Sequence, residues 1–161
     1  MRWLPFILLA YVMLGLQIGL GGIGRVSGVN WVLIAAVFIA MNATRSAAVP
    51  ACFVLGLLHD FTGIGPIGTY ALAYSLVAML IAGTDRALSA DHPFSHFVIT
   101  LLAGLLMAIV LWLHGLLARF GDRPSTYLTT GLVSAFYTAI AALPALWLLN
   151  KLRRRFRFRR G

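Results

Sequence analysis

The sequence predicts an all-α integral membrane protein with about six transmembrane helical segments. Of its 161 residues, 61% are hydrophobic and 11% are charged, whereas an average soluble domain carries about 25% charged residues. Several apolar runs are close to, or longer than, the roughly 18 residues that indicate a membrane span. Because the polar connections are short, we expect residues 1–150 to form one polytopic membrane domain and residues 151–161 a basic cytoplasmic tail.

The first apolar run, residues 3–22, follows Met1-Arg2 as the core of a signal peptide would. Further spans follow it and no small-x-small cleavage site does, so we interpret it as a retained first helix. Residues 67–83, 94–118 and 127–149 form three more runs. The run 94–118 is long enough to cross a hydrocarbon core of about 30 Å with some tilt.

The stretch 31–60 carries polar residues near its middle, at Asn42, Thr44 and Arg45. A single helix would place Arg45 near the bilayer centre, at a cost of about 2.5–3.5 kcal/mol on insertion scales. Two short helices with a turn at residues 42–46 avoid that cost, and Ser46 would then cap the second helix. The sequence therefore predicts short, hairpin-like second and third segments.

The placement of basic residues predicts the orientation in the membrane. With six segments, ten basic residues share one side and three lie on the other. This split satisfies the positive-inside rule when both termini are cytoplasmic. The larger group is Arg2, Arg45, Arg86 and the seven basic residues of the tail, and the smaller group is Arg25, Arg119 and Arg123.

The tail holds more than half of the basic residues, interleaved with Phe156 and Phe158. Such a cluster beside a membrane span is typical of contact with anionic lipids, and docking of a cytoplasmic protein is the second interpretation. Since the charge is confined to the tail, we predict no nucleic-acid partner. The basic residues are Lys151, Arg153, Arg154, Arg155, Arg157, Arg159 and Arg160.

Three runs carry small residues at helical spacing, which allows close approach of helices in lipid. Each stripe predicts either packing inside the bundle or docking of a partner's helix. The stripes are Gly15, Gly19 and Gly22 in the first run, Ala71, Ser75, Ala78 and Ala82 in the fourth, and Gly131, Ala135, Ala139 and Ala142 in the last.

The sequence predicts no catalytic residues, no cofactor and no metal site. Cys52 is the only cysteine, so no internal disulfide or cysteine-based metal site is expected. His92 and His96 have His-x3-His spacing, but Pro93 is placed to begin the helix, so the two imidazoles need not share a face. Four acidic residues on scattered connections do not form a general acid–base pair.

One stretch before the fourth run combines an acidic residue with a glycine-rich bend. Pro66 is placed to begin the fourth helix, and Gly68 would allow close approach in its first turn. We expect Asp60 to accept hydrogen bonds from the amides of Thr62 or Gly63, or to pair with an arginine of the outer side. As an ionisable residue at membrane depth, Asp60 is also a functional candidate.

Residues 56–72 resemble the rod shape-determining protein MreD family. The family pattern is a glycine, an aspartate four residues later, then Gly-Pro-(Leu or Ile)-Gly and a helix rich in alanine and leucine. The remaining likeness is the chain length, the number of spans and the hairpin-like second and third segments. The matching residues are Gly56, Asp60, Gly65, Pro66, Gly68, Ala71 and Leu72, and the first five form a candidate structural or partner-interaction motif.

The resemblance implies a non-catalytic inner-membrane scaffold of the bacterial elongation complex, which helps to maintain rod shape and lateral peptidoglycan synthesis. The implied partners are an MreC-like bitopic protein, the MreB filament, a RodA-type glycosyltransferase and a penicillin-binding transpeptidase. In architecture, the family also resembles the substrate-binding subunits of energy-coupling-factor transporters.

Two other functions remain open at this stage. The first is a small-molecule-binding subunit of an energy-coupling-factor-type transporter, because interrupted helices line binding cavities. The second is a membrane-embedded enzyme acting on lipid, with Asp60 assisted by His59 or His114.

Overall fold

The computed structural model describes residues 3–21, 28–62, 67–83, 93–118 and 124–156. These residues form six α-helices, α1 to α6 in chain order: Trp3–Gly21, Trp31–Asn42, Arg45–Thr62, Thr69–Gly83, Pro93–Ala118 and Pro124–Phe156. The all-helical prediction is confirmed for this part of the chain. Within it, α5 and α6 are long and apolar enough to cross a membrane, over Phe94–Leu116 and Leu128–Lys151. Six crossings stay a prediction.

Helix α2 lies at the centre of the bundle. Its residues 32–40 are all buried, and it contacts each of the other five helices. A helix that is apolar on every side requires such surroundings. With 12 residues, it is about 18 Å long at 1.5 Å per residue, too short to cross a bilayer but shielded by its neighbours.

The predicted α2–α3 hairpin is present, with a tighter turn than expected. Only residues 43 and 44 separate the two helices. The carbonyl of Thr44 accepts hydrogen bonds from the amides of Ala47 (2.9 Å) and Ala48 (2.8 Å). The prediction that Ser46 caps α3 is therefore wrong: Ser46 lies in the first turn, because Thr44 is the residue that precedes the helix.

Helices α4 and α6 also differ from their predicted bounds. Helix α4 begins at Thr69, so Gly68 precedes the helix instead of lying in its first turn. Gly68 has a φ of 104°, a left-handed conformation that glycine adopts without a steric penalty. Helix α6 continues to Phe156, so the beginning of the basic tail extends this helix. The motif residues Gly65 and Pro66 lie outside the described residues.

Small residues join α5 and α6 into an antiparallel hairpin. A Cβ atom added to Gly104 would lie 2.7 Å from the Cβ of Ala135, and one added to Gly131 would lie 2.8 Å from the Cβ of Ala108. Two of the predicted small-residue stripes thus pack inside the bundle. Their buried members are Ala71 and Ala78 in α4, and Ala135, Ala139 and Ala142 in α6.

The predicted stripe of small residues on α1 has different surroundings from the stripes on α4 and α6. A Cβ atom added to Gly15 or Gly19 would meet no described atom within 4 Å, and both residues are exposed. Gly22 lies outside the described residues. Glycines at this spacing therefore do not mark an internal contact in α1, although the same spacing of small residues does so in α4 and α6.

Candidate functional site

The candidate site lies where α3 ends and α4 begins. Asp60 is in the last turn of α3 and only 3% exposed. Its carboxylate accepts hydrogen bonds from the backbone amides of Gly68 (2.9 Å), Tyr70 (3.0 Å) and Ala71 (3.2 Å). Because the first amides of a helix have no partner within that helix, Asp60 caps α4 from the neighbouring helix. Its negative charge also complements the positive end of the α4 dipole.

These partners differ from the expected ones. The sequence suggested that Asp60 would bind the amides of Thr62 or Gly63, within the following turn. Instead α3 continues as a helix through Thr62, whose hydroxyl donates to the carbonyl of His59 at 2.8 Å, and the carboxylate reaches across to α4. The alternative pairing with Arg25, Arg119 or Arg123 involves residues outside the described part of the chain.

Gly56 lies one helical turn before Asp60, on the same face of α3. A Cβ atom at Gly56 would lie 2.6 Å from both the amide nitrogen of Ala71 and the carbonyl oxygen of Tyr70. The two helices therefore meet backbone to backbone at this point. This close approach brings the α4 amides within reach of Asp60, which gives the Gly-x3-Asp spacing a geometric reason.

A chain of buried polar side chains leads from this site into the bundle. The Nδ1 atom of His59 lies 2.7 Å from the hydroxyl oxygen of Tyr74. Tyr74 is fully buried, and its hydroxyl donates to Oδ1 of Asn30 at 3.1 Å. The His59 ring also packs against Tyr70, with 4.2 Å between ring centroids. The end of α3 is thereby linked through α4 to the start of α2.

Asn30 connects this chain to two further helices. Its Oδ1 also accepts the amide of Leu33 at 2.9 Å, which caps α2. Its Nδ2 lies 3.4 Å from Sδ of Met107 in α5. Its backbone N–H donates to Oγ1 of Thr138 in α6 at 2.9 Å. One residue thus contacts α4, α5 and α6 while capping α2.

Three of the residues that organise this region were not identified from the sequence: Asn30, Tyr74 and Gln17. Gln17 of α1 accepts the amide of Trp31 at 2.8 Å through its Oε1. Each of these polar residues lies alone within or beside an apolar run of the sequence. Burial of a polar group in apolar surroundings is costly unless the group is hydrogen-bonded, so this position could have indicated that each residue has a partner in another helix. An asparagine directly before such a run is also a typical helix cap.

The titratable side chains of this region are engaged in contacts between helices. Both carboxylate oxygens of Asp60 are engaged by amides, and Nδ1 of His59 is engaged by Tyr74. The Cys52 thiol is buried, 3.5 Å from the carbonyl of Ala36. Among the described residues, no group of three His, Cys, Asp or Glu side chains is placed to hold a metal ion.

The six helices and the contact of Gly56 and Asp60 with the beginning of α4 define the class: an all-helical membrane protein in which polar residues hold helices together. A family model, rod shape-determining protein MreD, matches residues 1–152. The chain belongs to this family, as the stretch 56–72 predicted, and it is a membrane protein with a role in determining rod cell shape. The family is associated with the MreC/MreB shape complex.

Comparisons with curated proteins and with solved structures gave no match. No finding supports the alternative of a transporter subunit.

Proposed function

We propose that the protein is a non-catalytic scaffold of the elongation complex in the bacterial inner membrane, where it supports lateral peptidoglycan synthesis. The proposal rests on the hydrogen bonds that the Asp60 carboxylate accepts. A buried carboxylate at membrane depth is by default a candidate for chemistry, yet this one holds three backbone amides of α4. The motif therefore builds a rigid α3–α4 hairpin.

The proposed interaction surface is the end of this hairpin. Phe61 and Ile67, which flank the capped contact, are 69% and 68% exposed. Both are large apolar side chains held on a rigid support, as suits a site that binds another protein. Gly56, Asp60 and Gly68 would act indirectly, by holding the two helices together. The proposed direct partner is an MreC-like bitopic protein, within an assembly that includes MreB, a RodA-type glycosyltransferase and a penicillin-binding transpeptidase.

The proposed topology places both termini in the cytoplasm, with the basic tail on the inner membrane surface. The Nζ of Lys151 lies 5.0 Å above the ring of Trp147, where α6 leaves its apolar span. Tryptophan is enriched at membrane interfaces, and lysine reaches from a helix end toward the headgroups. These features support contact between the tail and anionic lipids.

The first experiment measures recovery of the MreC-like protein with tagged Asp60→Ala from the membranes of its host. We expect a several-fold loss of recovery relative to the parent at equal amounts of inserted protein, since the variant loosens the hairpin. Gly19→Ala, at an open position on α1, serves as the matched control and should recover the partner normally. Equal recovery for Asp60→Ala would remove Asp60 from the interaction motif.

A second experiment tests the function as a whole. Depletion of the protein in its host should give rounded cells and mislocalised MreC-like protein. Cells that keep their rod shape and their normal MreC distribution after depletion would contradict the scaffold function.

A further inference from the structure

The helices of the bundle end at different heights. Asn30, directly before α2, contacts Met107 and Thr138, and both lie well inside the apolar spans Phe94–Leu116 and Leu128–Lys151. From these contacts α5 continues for eleven residues to Ala118 and α6 for fourteen residues back to Pro124, roughly 16 and 21 Å at 1.5 Å per residue. Helix α2 therefore begins deep within the length of the α5–α6 hairpin.

This depth creates a solvation problem for the backbone. Gly28, which belongs to a 3₁₀ turn, and Val29, which belongs to no helix, precede α2. At membrane depth, non-helical backbone is tolerated where it is buried in protein or lines a water-filled cavity. Gly28 is only partly buried, and a Cβ atom added to it would lie 3.3 Å from the Tyr137 ring of α6.

A cavity of about 30 Å³ lies next to this segment, between α2, α5 and α6. Three polar side chains line it: Asn30, Ser134 and Thr138. Asn30 and Thr138 are buried, whereas Ser134 and Gly131 at the rim are partly exposed. A water molecule needs about 10–15 Å³ of such volume and two to four polar partners. The cavity meets both conditions and reaches the surface of the described structure.

The side-chain amide of Asn30, which lines the cavity, has strong partners for its oxygen but not for its nitrogen. Oδ1 of Asn30 accepts from both Leu33 and Tyr74. Its Nδ2, however, contacts only the thioether sulfur of Met107, at 3.4 Å, and such a sulfur is a weak acceptor. A water oxygen is a better acceptor for an amide hydrogen. The same water could donate to the hydroxyl of Ser134, whose side chain faces the cavity.

We propose that this cavity is a water site, with room for about two water molecules between its partly exposed rim at Ser134 and the buried side chain of Asn30. The water accepts a hydrogen bond from Nδ2 of Asn30, whose other contact is the weakly accepting sulfur of Met107.

The test compares cysteines at neighbouring positions of α6, in a Cys52→Ala background. Ser134→Cys places a thiol at the cavity rim, whereas Val133→Cys places one on the adjacent outer face, where Val133 is 53% exposed. Because thiols react as thiolates, a charged methanethiosulfonate reagent modifies only thiols that contact water. In membranes opened to both sides, we expect at least tenfold faster modification of Ser134→Cys. Equal rates, or faster modification of Val133→Cys, would overturn the proposal.

A second pair on α5 keeps the test decisive if an α6 variant fails to insert. Leu111 lines the cavity, and Ile109 is exposed on the outer face. After the recovered membranes are dissolved in a denaturing detergent, a maleimide should label all four cysteines, which establishes the amount of inserted protein and the availability of each thiol. We again expect Leu111→Cys to react faster with the charged reagent than Ile109→Cys, and the reverse order would contradict the water site.

Discussion

Gly56 and Asp60 act as a pair at the scale of single residues. The glycine lets α3 approach α4 until backbone atoms meet, and the carboxylate then lies within hydrogen-bonding distance of three α4 amides. Gly68 completes the arrangement through its positive φ. A side chain at position 56 would separate the helices, and the separation would remove the amides from Asp60.

Gly56→Ala should lower the free energy of unfolding by about 1–3 kcal/mol, the usual cost of inserting a methyl group into a packed contact. The measurement is thermal unfolding of the purified protein in detergent, followed by helical circular dichroism. Gly15→Ala is the matched control, because its added methyl meets no described atom within 4 Å. Identical unfolding temperatures for the two variants would contradict the close contact.

Substitutions of Asp60 should differ in their cost. Asp60→Ala leaves three amides without their acceptor, and each buried unsatisfied group costs about 1–3 kcal/mol. Asp60→Asn keeps one acceptor oxygen, so it should unfold between the parent and Asp60→Ala. Hydrogen exchange at the amides of Tyr70 and Ala71 should accelerate in the same order. If Asp60→Ala unfolds at the same temperature as the parent, the carboxylate is not what stabilises the beginning of α4.

At the scale of helices, α2 depends on its surroundings. An isolated helix of 12 residues is marginal, because helix nucleation is unfavourable and few hydrogen bonds follow it. Burial on every side stabilises α2, and residues from outside the helix bind at its beginning: Gln17 accepts the first amide, Asn30 caps it, and Tyr74 holds Asn30.

The link between α4 and α2 predicts energetic coupling between Tyr74 and Asn30. Tyr74→Phe removes the hydroxyl that bridges His59 and Asn30 and should cost about 0.5–1.5 kcal/mol of stability. Combined with Asn30→Ala, the loss should be less than additive by 0.5 kcal/mol or more, as for residues in one hydrogen-bond network. Unfolding of the two single variants and the double variant measures this coupling.

Tyr11→Phe is the control for this comparison of single and double variants. Tyr11 is 78% exposed, so removal of its hydroxyl should leave the unfolding temperature unchanged. Strict additivity of Tyr74→Phe and Asn30→Ala would show that the buried chain does not couple the two helices.

At the scale of the whole molecule, the long α5–α6 hairpin extends beyond the beginning of the short central helix. Six crossings would place ten basic residues on one side and three on the other, and the positive-inside rule then predicts cytoplasmic termini. Reporters fused after residue 161 and inserted within residues 84–92 should therefore lie in the cytoplasm, and one inserted within residues 119–123 should lie outside. A C-terminal reporter found outside intact cells would contradict this topology.

The sequence by itself determined the all-helical class, the hairpin-like α2 and α3, most helix bounds within a few residues, and the family through residues 56–72. These properties are local: run lengths, polar breaks and a short motif are all contained within a segment. The same local information misplaced the Asp60 partners and Ser46, since it carries no distances between helices.

Only the tertiary structure decided that Asp60 caps α4, that Asn30 joins four helices, and that Gly15 and Gly19 of α1 are exposed. The contact between Asn30 and Thr138 joins residues 108 positions apart, and no local pattern encodes such a distance. In an apolar bundle each polar group must find a hydrogen-bond partner, and which partner it finds depends on how closely small residues let the helices pack.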